Sequence, residues 1–245
     1  MVGSTTRHTK PTASAESEPT MSKLHMTVTV SLVSTSFLLA IAGTAAAQPS
    51  DTSVPAAPPA IDNALELTLA TSFSQGTGEL GGNLPAVKDV AGSGVGLEGS
   101  IGWRINPNLM IGAYGSLAGF GDRDDSSNGV VTLAAGLKAD WHFQPAAAWD
   151  PWVSLGTGVK FMGIEDGEND RALTGFEIAK VQLGVDYRLS PSFAIGPVIG
   201  ASAAMYNSQY DDVESDDAME IDDKQLNWTF SAGVMGRFDA FGTTR

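Results

Sequence analysis

Charged side chains at alternate positions, facing away from bulky apolar ones, are the chemically suggestive residues of this 245-residue chain. One such set reads Glu66, Glu98, Asp140, Asp186 and Asp239 as acids, with Arg104, Lys138, Lys160, Lys180, Arg188 and Arg237 as bases. Five acids against six bases are nearly neutral in a chain of formal net charge −14. Confined charges must be paired or hydrated, because an unpaired buried charge is costly. They could therefore form an ion pathway or a salt-bridged filling, and a narrow space favours the filling. Catalysis is not expected. His142 is the only histidine beyond residue 25, and no nucleophile–base pairing can be read around it. It reads as a hydrated side chain at one mouth of the fold.

A second cluster is acidic alone. Asp211, Asp212, Glu214, Asp216, Asp217, Glu220, Asp222 and Asp223 crowd one stretch, with Lys224 as its base. Asp122, Asp124 and Asp125 form a smaller group, and Glu165, Asp166, Glu168 and Asp170 another. Asp212, Glu214 and Asp216 have the alternate spacing of hard-oxygen ligands for Ca²⁺ or Mg²⁺. Asp217 stands where such a loop needs glycine, so these are weak candidates and a solvated, self-repelling loop is expected. No cofactor is expected.

The elements that position these residues follow from a period of two. Eight strands are predicted: Ala64–Gly76, Val95–Asn106, Leu109–Gly121, Val130–Phe143, Pro151–Ile164, Gly175–Leu189, Phe193–Ser208 and Leu226–Phe238. In the fourth, Val131, Leu133, Ala135, Leu137, Ala139, Trp141 and Phe143 oppose Thr132, Ala134, Gly136, Lys138, Asp140 and His142. In the sixth, Ala179, Val181, Leu183, Val185, Tyr187 and Leu189 oppose Lys180, Gln182, Gly184, Asp186 and Arg188. The third and seventh strands are ambiguous in phase. Pro197 must sit at a bulge or forgo a ladder bond. Connections alternate between tight turns (Pro107-Asn108, Gln144–Asp150, Ser190–Ser192) and longer polar loops (Thr77–Gly94, Asp122–Gly129, Glu165–Thr174, Gln209–Gln225).

Alternation alone does not say which face looks inward, but side-chain size does. The polar faces carry Gly96, Gly102, Gly136, Gly156, Gly158, Gly184 and Gly233, which suit a narrow lumen, and the apolar faces carry bulk that suits lipid. Aromatics gather in two belts. Trp103, Trp141, Phe143, Trp152, Tyr187, Phe193 and Phe238 fall at the turn ends; Phe73, Phe120, Phe161, Phe176, Tyr206 and Trp228 fall at the loop ends. The expected fold is all-β, an eight-stranded antiparallel up-and-down transmembrane β-barrel over residues 64–241, with a short tail at 242–245.

The first quarter reads differently. Residues 26–50 carry no charge and enclose the apolar run Phe37–Ala42, with Lys23 before it and Ala45-Ala46-Ala47 after it. This is the pattern of a secretory signal peptide over residues 21–47, with cleavage expected after Ala47. Residues 1–20 are polar and are expected to be a dispensable extension, and the Pro/Ala-rich stretch 48–63 a periplasmic linker. Removing residues 1–47 takes away three bases and two acids, which leaves the mature chain near −15. Such a charge repels nucleic-acid phosphates, so no nucleic acid is an expected partner. There is no cysteine, so rigidity must come from a closed ladder instead of disulfides.

The chain resembles the small eight-stranded outer-membrane proteins, the OmpA/OmpX-like and OmpW-like barrels, over about Ala64 to Phe238. The most specific match is Ser231–Phe238, which is similar to their final-strand assembly signal, with Gly233 and Phe238 at its glycine and aromatic positions. Gly236 departs from it, standing where a hydrophobic residue is usual, and seven residues follow the normally terminal aromatic. The resemblance implies residence in the Gram-negative outer membrane, with its lipids, lipopolysaccharide and assembly machinery as partners. It implies a structural or surface-interaction role with acidic loops outside the cell, or else a narrow pore or carrier of small hydrophobic molecules.

Overall fold

The computed structural model describes residues 61–81, 84, 86–121, 129–165, 171–210 and 218–244. The proposed signal peptide, most of the linker, and the acidic groups at 122–125, 166–170 and 211–217 lie outside them, including Asp212, Glu214 and Asp216.

Among the described residues eight long strands form a barrel: β1 (Ala64–Gly78), β2 (Ser93–Asn106), β3 (Leu109–Gly121), β4 (Gly129–His142), β5 (Trp149–Glu165), β6 (Arg171–Ser190), β7 (Phe193–Tyr210) and β8 (Leu226–Ala240). Each pairs antiparallel with its sequence neighbours. β8 also pairs with β1, from Asn227↔Gly78 to Ala240↔Leu65, and this closes the barrel. Closure leaves no open edge, so the ladder satisfies its own backbone groups, as a hydrocarbon surrounding requires.

The strands alternate as their sequences do. Leu69, Leu97, Leu137, Leu155, Phe176, Ile199 and Phe230 stand outward and exposed, Leu137 at 68 %. A continuous apolar surface of this kind is untenable in water and natural in lipid. Pro197 keeps regular register opposite Val234 and forgoes its ladder bond on the exposed face.

Away from their turn ends, two strands break the alternation. In β6, Gly158 pairs with Glu177 and Gly156 with Lys180, so two residues, Ile178 and Ala179, face Thr157 alone. The same extra residue appears against β7, where Glu177 pairs with Ala204 and Ala179 with Ala203. This bulge reverses the phase of β6: Leu173 and Glu177 are buried above it, Gln182, Asp186 and Arg188 below it. Thr157 Oγ1 donates to the Glu177 carbonyl at 2.9 Å. A second irregularity in β7 leaves Asn207 extra between Tyr206 and Ser208.

Beyond the turn end, Ile61–Asp62 pairs with Thr243–Thr244. The ladder enters this pair through Asn63 (φ 54°) and Phe241 (φ 59°), both left-handed. Asn63 tolerates that conformation and its Oδ1 accepts from Trp103 Nε1 at 3.0 Å. Residues 243–244 are thus tied to residues 61–62.

Candidate functional site

The eight strands enclose a lumen, and among the described residues its filling falls into three storeys. The floor, at the turn end, is ionic. Arg104 binds Glu66 through Nη2, and its Nε lies 3.5 Å from Asp239 Oδ1. Arg237 is central: Nε is 3.1 Å from Glu66 Oε1, and Nη1 donates to Asp186 Oδ2. Lys138 meets Asp140 at 3.0 Å, and Arg188 meets Asp239 at 3.8 Å. These charges are 6 % exposed or less, so each depends on its partners in place of water. They come from five strands, and the pairs Arg237–Asp186, Arg188–Asp239 and Arg104–Asp239 join strands that are not neighbours in the ladder.

His142 belongs to this floor. The structure corrects its reading as a hydrated side chain: it is fully buried, with Nδ1 2.7 Å from Asp150 Oδ2. With Nδ1–H donated to that carboxylate, Nε2 accepts from Arg237 Nη1 at 2.9 Å. Asp150 Oδ1 in turn accepts the Gln144 backbone N–H at 3.0 Å.

Trp152 is the second correction. It stands inside the barrel, not in an aromatic belt, with 2 % exposure and Nε1 donating to Asp186 Oδ1 at 2.9 Å. Arg237 lies over its ring, 5.2 Å from the centroid. The indole fits because Gly184, its cross-strand partner, has no side chain: a Cβ there would sit 2.7 Å from Nε1. Gly184→Val is therefore expected to displace the indole and lower stability by about 1–3 kcal/mol, as overpacking does. Trp152 fluorescence should shift with it. An unchanged denaturation midpoint would contradict this packing.

Above the floor, Ala70, Trp152, Val198 and Met235 form a thin apolar layer. Over it lies a polar chamber of about 70 Å³, room for a few waters. Hydroxyls of Ser72, Ser116, Thr132, Ser202, Thr229 and Ser231 line it. Lys180 reaches across from β6 to Glu98 of β2 at 2.6 Å, and Gln182 Nε2 donates to both Glu98 oxygens at 3.2 Å. Lys180 also lies 4.3 Å from the Tyr114 ring centroid, and Tyr114 OH donates to Glu177. Lys160 donates to Thr229 Oγ1 at 3.0 Å.

The roof is apolar. Phe120, Val130, Met162, Ile164, Leu173 and Tyr206, from β3 to β7, turn inward at the loop end. Leu80, Val87 and Ala91 of the β1–β2 connection fill the space between them, with Ile221 of the β7–β8 connection. The first long loop, expected to be polar, instead inserts an apolar segment with a short helix, Val87–Val90. Burying Leu80 and Val87 stabilises the closure by about 1.5–3 kcal/mol each. Phe120 and Tyr206 are the remaining corrections to the outer belt, with 5 % and 0 % exposure. Phe120 lies over Gly94, where a Cβ would come within 2.6 Å of its Cδ1.

No family model matches the sequence, and no curated protein does. Among solved structures, Neisserial surface protein A is similar at TM-score 0.50, with 13 % identity over 71 % of this chain and 96 % of that one. The fold is that of the small outer-membrane barrels. The outer membrane protein OprG of Pseudomonas aeruginosa is also similar, at TM-score 0.41 and 13 % identity over 74 % of this chain and 99 % of that one. So is Ail, the attachment invasion locus protein of Yersinia pestis, at TM-score 0.37 and 16 % identity over 72 % and 99 %.

In this barrel all eleven charged residues singled out from the sequence face the interior. Glu66, Arg104, Lys138, Asp140, Asp186, Arg188, Arg237 and Asp239 share the floor; Glu98, Lys160 and Lys180 line the chamber. Gly233 is a site of close approach, where a Cβ would lie 2.7 Å from Ser72 Cα, and Phe238 points outward at 45 % exposure. Sequence reasoning missed Asp150 and Glu177. Counting them, seven acids meet six bases, with His142 between Asp150 and Arg237. Asp150 lies on the inward face of Trp152 and Ser154, so parity could have found it. Glu177 had no such signal, because the bulge moves it from the apolar face of Ala179.

Proposed function

We propose that this outer-membrane barrel is closed and serves as a structural and surface-interaction element instead of a pore or an enzyme. The short turns and both termini then face the periplasm, and the long acidic loops face outward. Membrane lipids and lipopolysaccharide surround the apolar belt. The assembly machinery reads the last strand, with Gly233 and Phe238 as its signal. The observation that carries this reading is the double closure of the lumen, ionic at the floor and apolar at the roof. His142 supports the non-enzymatic part, since its ring nitrogens are engaged by Asp150 and Arg237.

Planar-bilayer recording tests the closure. The expected result is no reproducible single-channel step from the purified, folded protein, and regular steps would defeat it. Folding is checked by heat-modifiable migration on a detergent gel.

One observation favours a second reading, a carrier of small hydrophobic molecules: the roof residues Phe120, Val130, Met162 and Leu173 present an apolar interior. A ligand of that class would stabilise the folded form in proportion to its occupancy. A rise in the unfolding temperature with a saturating linear alkane would favour this reading over the first.

A further inference from the structure

The chamber has unlike closures at its two ends. The floor is made of residues fixed in the ladder: Glu66, Arg104, Asp186 and Arg237 belong to β1, β2, β6 and β8. Parting them would separate buried opposite charges and strain the barrel wall. The roof differs in construction. Leu80 and Val87 belong to a connection outside the ladder, and apolar contact with the wall holds them.

The backbone bonds of this segment close mostly upon itself. Leu84 N–H donates to Gly81 at 3.1 Å, Asp89 N–H to Ala86 at 2.9 Å and Ala91 N–H to Val87 at 2.7 Å. Among the described residues its backbone bond to a wall strand is Gly92 N–H to the Gly121 carbonyl at 3.2 Å. Gly78 (φ 104°) and Gly81 (φ 98°) stand where the segment leaves β1, in conformations that favour glycine. The segment can therefore swing outward at the cost of its apolar contacts while the barrel ladder stays intact.

From this construction we propose that Leu80 and the helix Val87–Val90 form a hinged cork, whose withdrawal admits small water-soluble molecules to the polar chamber from the loop end. The inference rests on the closed-barrel reading and adds which end opens. Apolar contact makes this closure insensitive to salt, whereas the ionic floor stays shut throughout.

The absence of native cysteine permits a direct test on the folded barrel. Ser202→Cys places one thiol in the chamber wall, and Lys88→Cys places one on the exposed helix. Each is treated with 2-aminoethyl methanethiosulfonate, and the modified peptide is followed by mass spectrometry. A site reached only through a minor open state reacts in proportion to that state's population, so S202C is expected to label at least about tenfold more slowly than K88C. Leu80→Ser with Val87→Ser should raise the S202C rate about tenfold or more, its folding confirmed by heat-modifiable migration.

A lock supplies the converse. A Cβ on Gly76 would lie 4.0 Å from Val87 Cβ, within the range a disulfide spans. Oxidised Gly76→Cys/Val87→Cys should slow S202C labelling further, and reduction should restore it. An S202C rate indifferent to both the polar cork and the lock would overturn the proposal. Single-channel steps from the unaltered barrel would instead defeat the closed reading on which the cork rests.

Discussion

Arg237→Ala is expected to lower the folding stability of the barrel by about 3–5 kcal/mol, the cost of removing one partner from a buried ion pair. The arginine serves two carboxylates, Glu66 and Asp186, that are 0 % and 3 % exposed. Without it both keep their charge with fewer partners, or take up protons and lose charge-assisted bonds. The His142–Asp150 pair loses the donor on its free ring nitrogen, and the Trp152 ring loses the cation above it. Arg237→Lys should fall between the two, because an ammonium restores the charge but not the fork that reaches Glu66 and Asp186 together. Guanidinium titration of the protein in lipid vesicles, read as the fraction migrating in the folded form, measures the loss. A loss under about 1 kcal/mol would mean the floor behaves like a screened surface network.

Much of this floor is legible in the sequence because a strand alternates strictly. Lys138, Asp140 and His142 stand two apart, as do Asp186 and Arg188, and a closed ladder leaves such residues nowhere but inside. Alternation does not say what meets across the lumen. Glu98 and Lys180 are 82 positions apart on strands at opposite sides of the barrel, and closure alone brings them to 2.6 Å.

The burial of Trp152 shows two signals in conflict. Its place near a strand end suggests a membrane belt, whereas its parity with Asp150, Ser154 and Lys160 puts it inside. Parity wins because the pleat fixes the direction of the side chain, while the end of a strand only sets its depth. Gly184 opposite makes the room, so the glycines of the polar faces act as seats for inward aromatics as well as thinning the lumen. Phe120 on Gly94 repeats the arrangement at the other end. The cork was illegible for a different reason. Leu80, Leu84 and Val87 are scattered among Gly, Pro and charged residues, with no period to mark them, and only the finished mouth offers them an apolar site.

Deletion of Leu137 should abolish the folded barrel, whereas deletion of Ile178 should not. A strand has a side-chain period of two, so removing one residue from a regular stretch turns everything on one side of the deletion to the other face. β4 keeps an unbroken register with both neighbours. With Leu137 absent and Lys138, Asp140 and His142 held by the ionic floor, Val130 would leave the roof and Thr132 the chamber, while Leu133 would turn inward. Overpacking by Leu133 costs about 1–3 kcal/mol, and the loss of a buried valine from the roof adds about 1.5–3 kcal/mol. The sum approaches the whole stability of a small domain. In β6 the extra residue at Ile178 already turns the phase, with Ile178 and Ala179 both exposed in succession. Removing Ile178 removes the bulge with it, so Glu177 and Leu173 keep their inward aim above the deletion, and Gln182 and Asp186 keep theirs below it. The folded band on a heat-modifiability gel should fall at least tenfold for the Leu137 deletion and largely remain for the Ile178 deletion. Leu137→Ala is the control: its side chain faces lipid at 68 % exposure, so the register survives and most of the folded band should remain. Equal loss of folding in the two deletions would mean that the bulge does not absorb a change of register in β6.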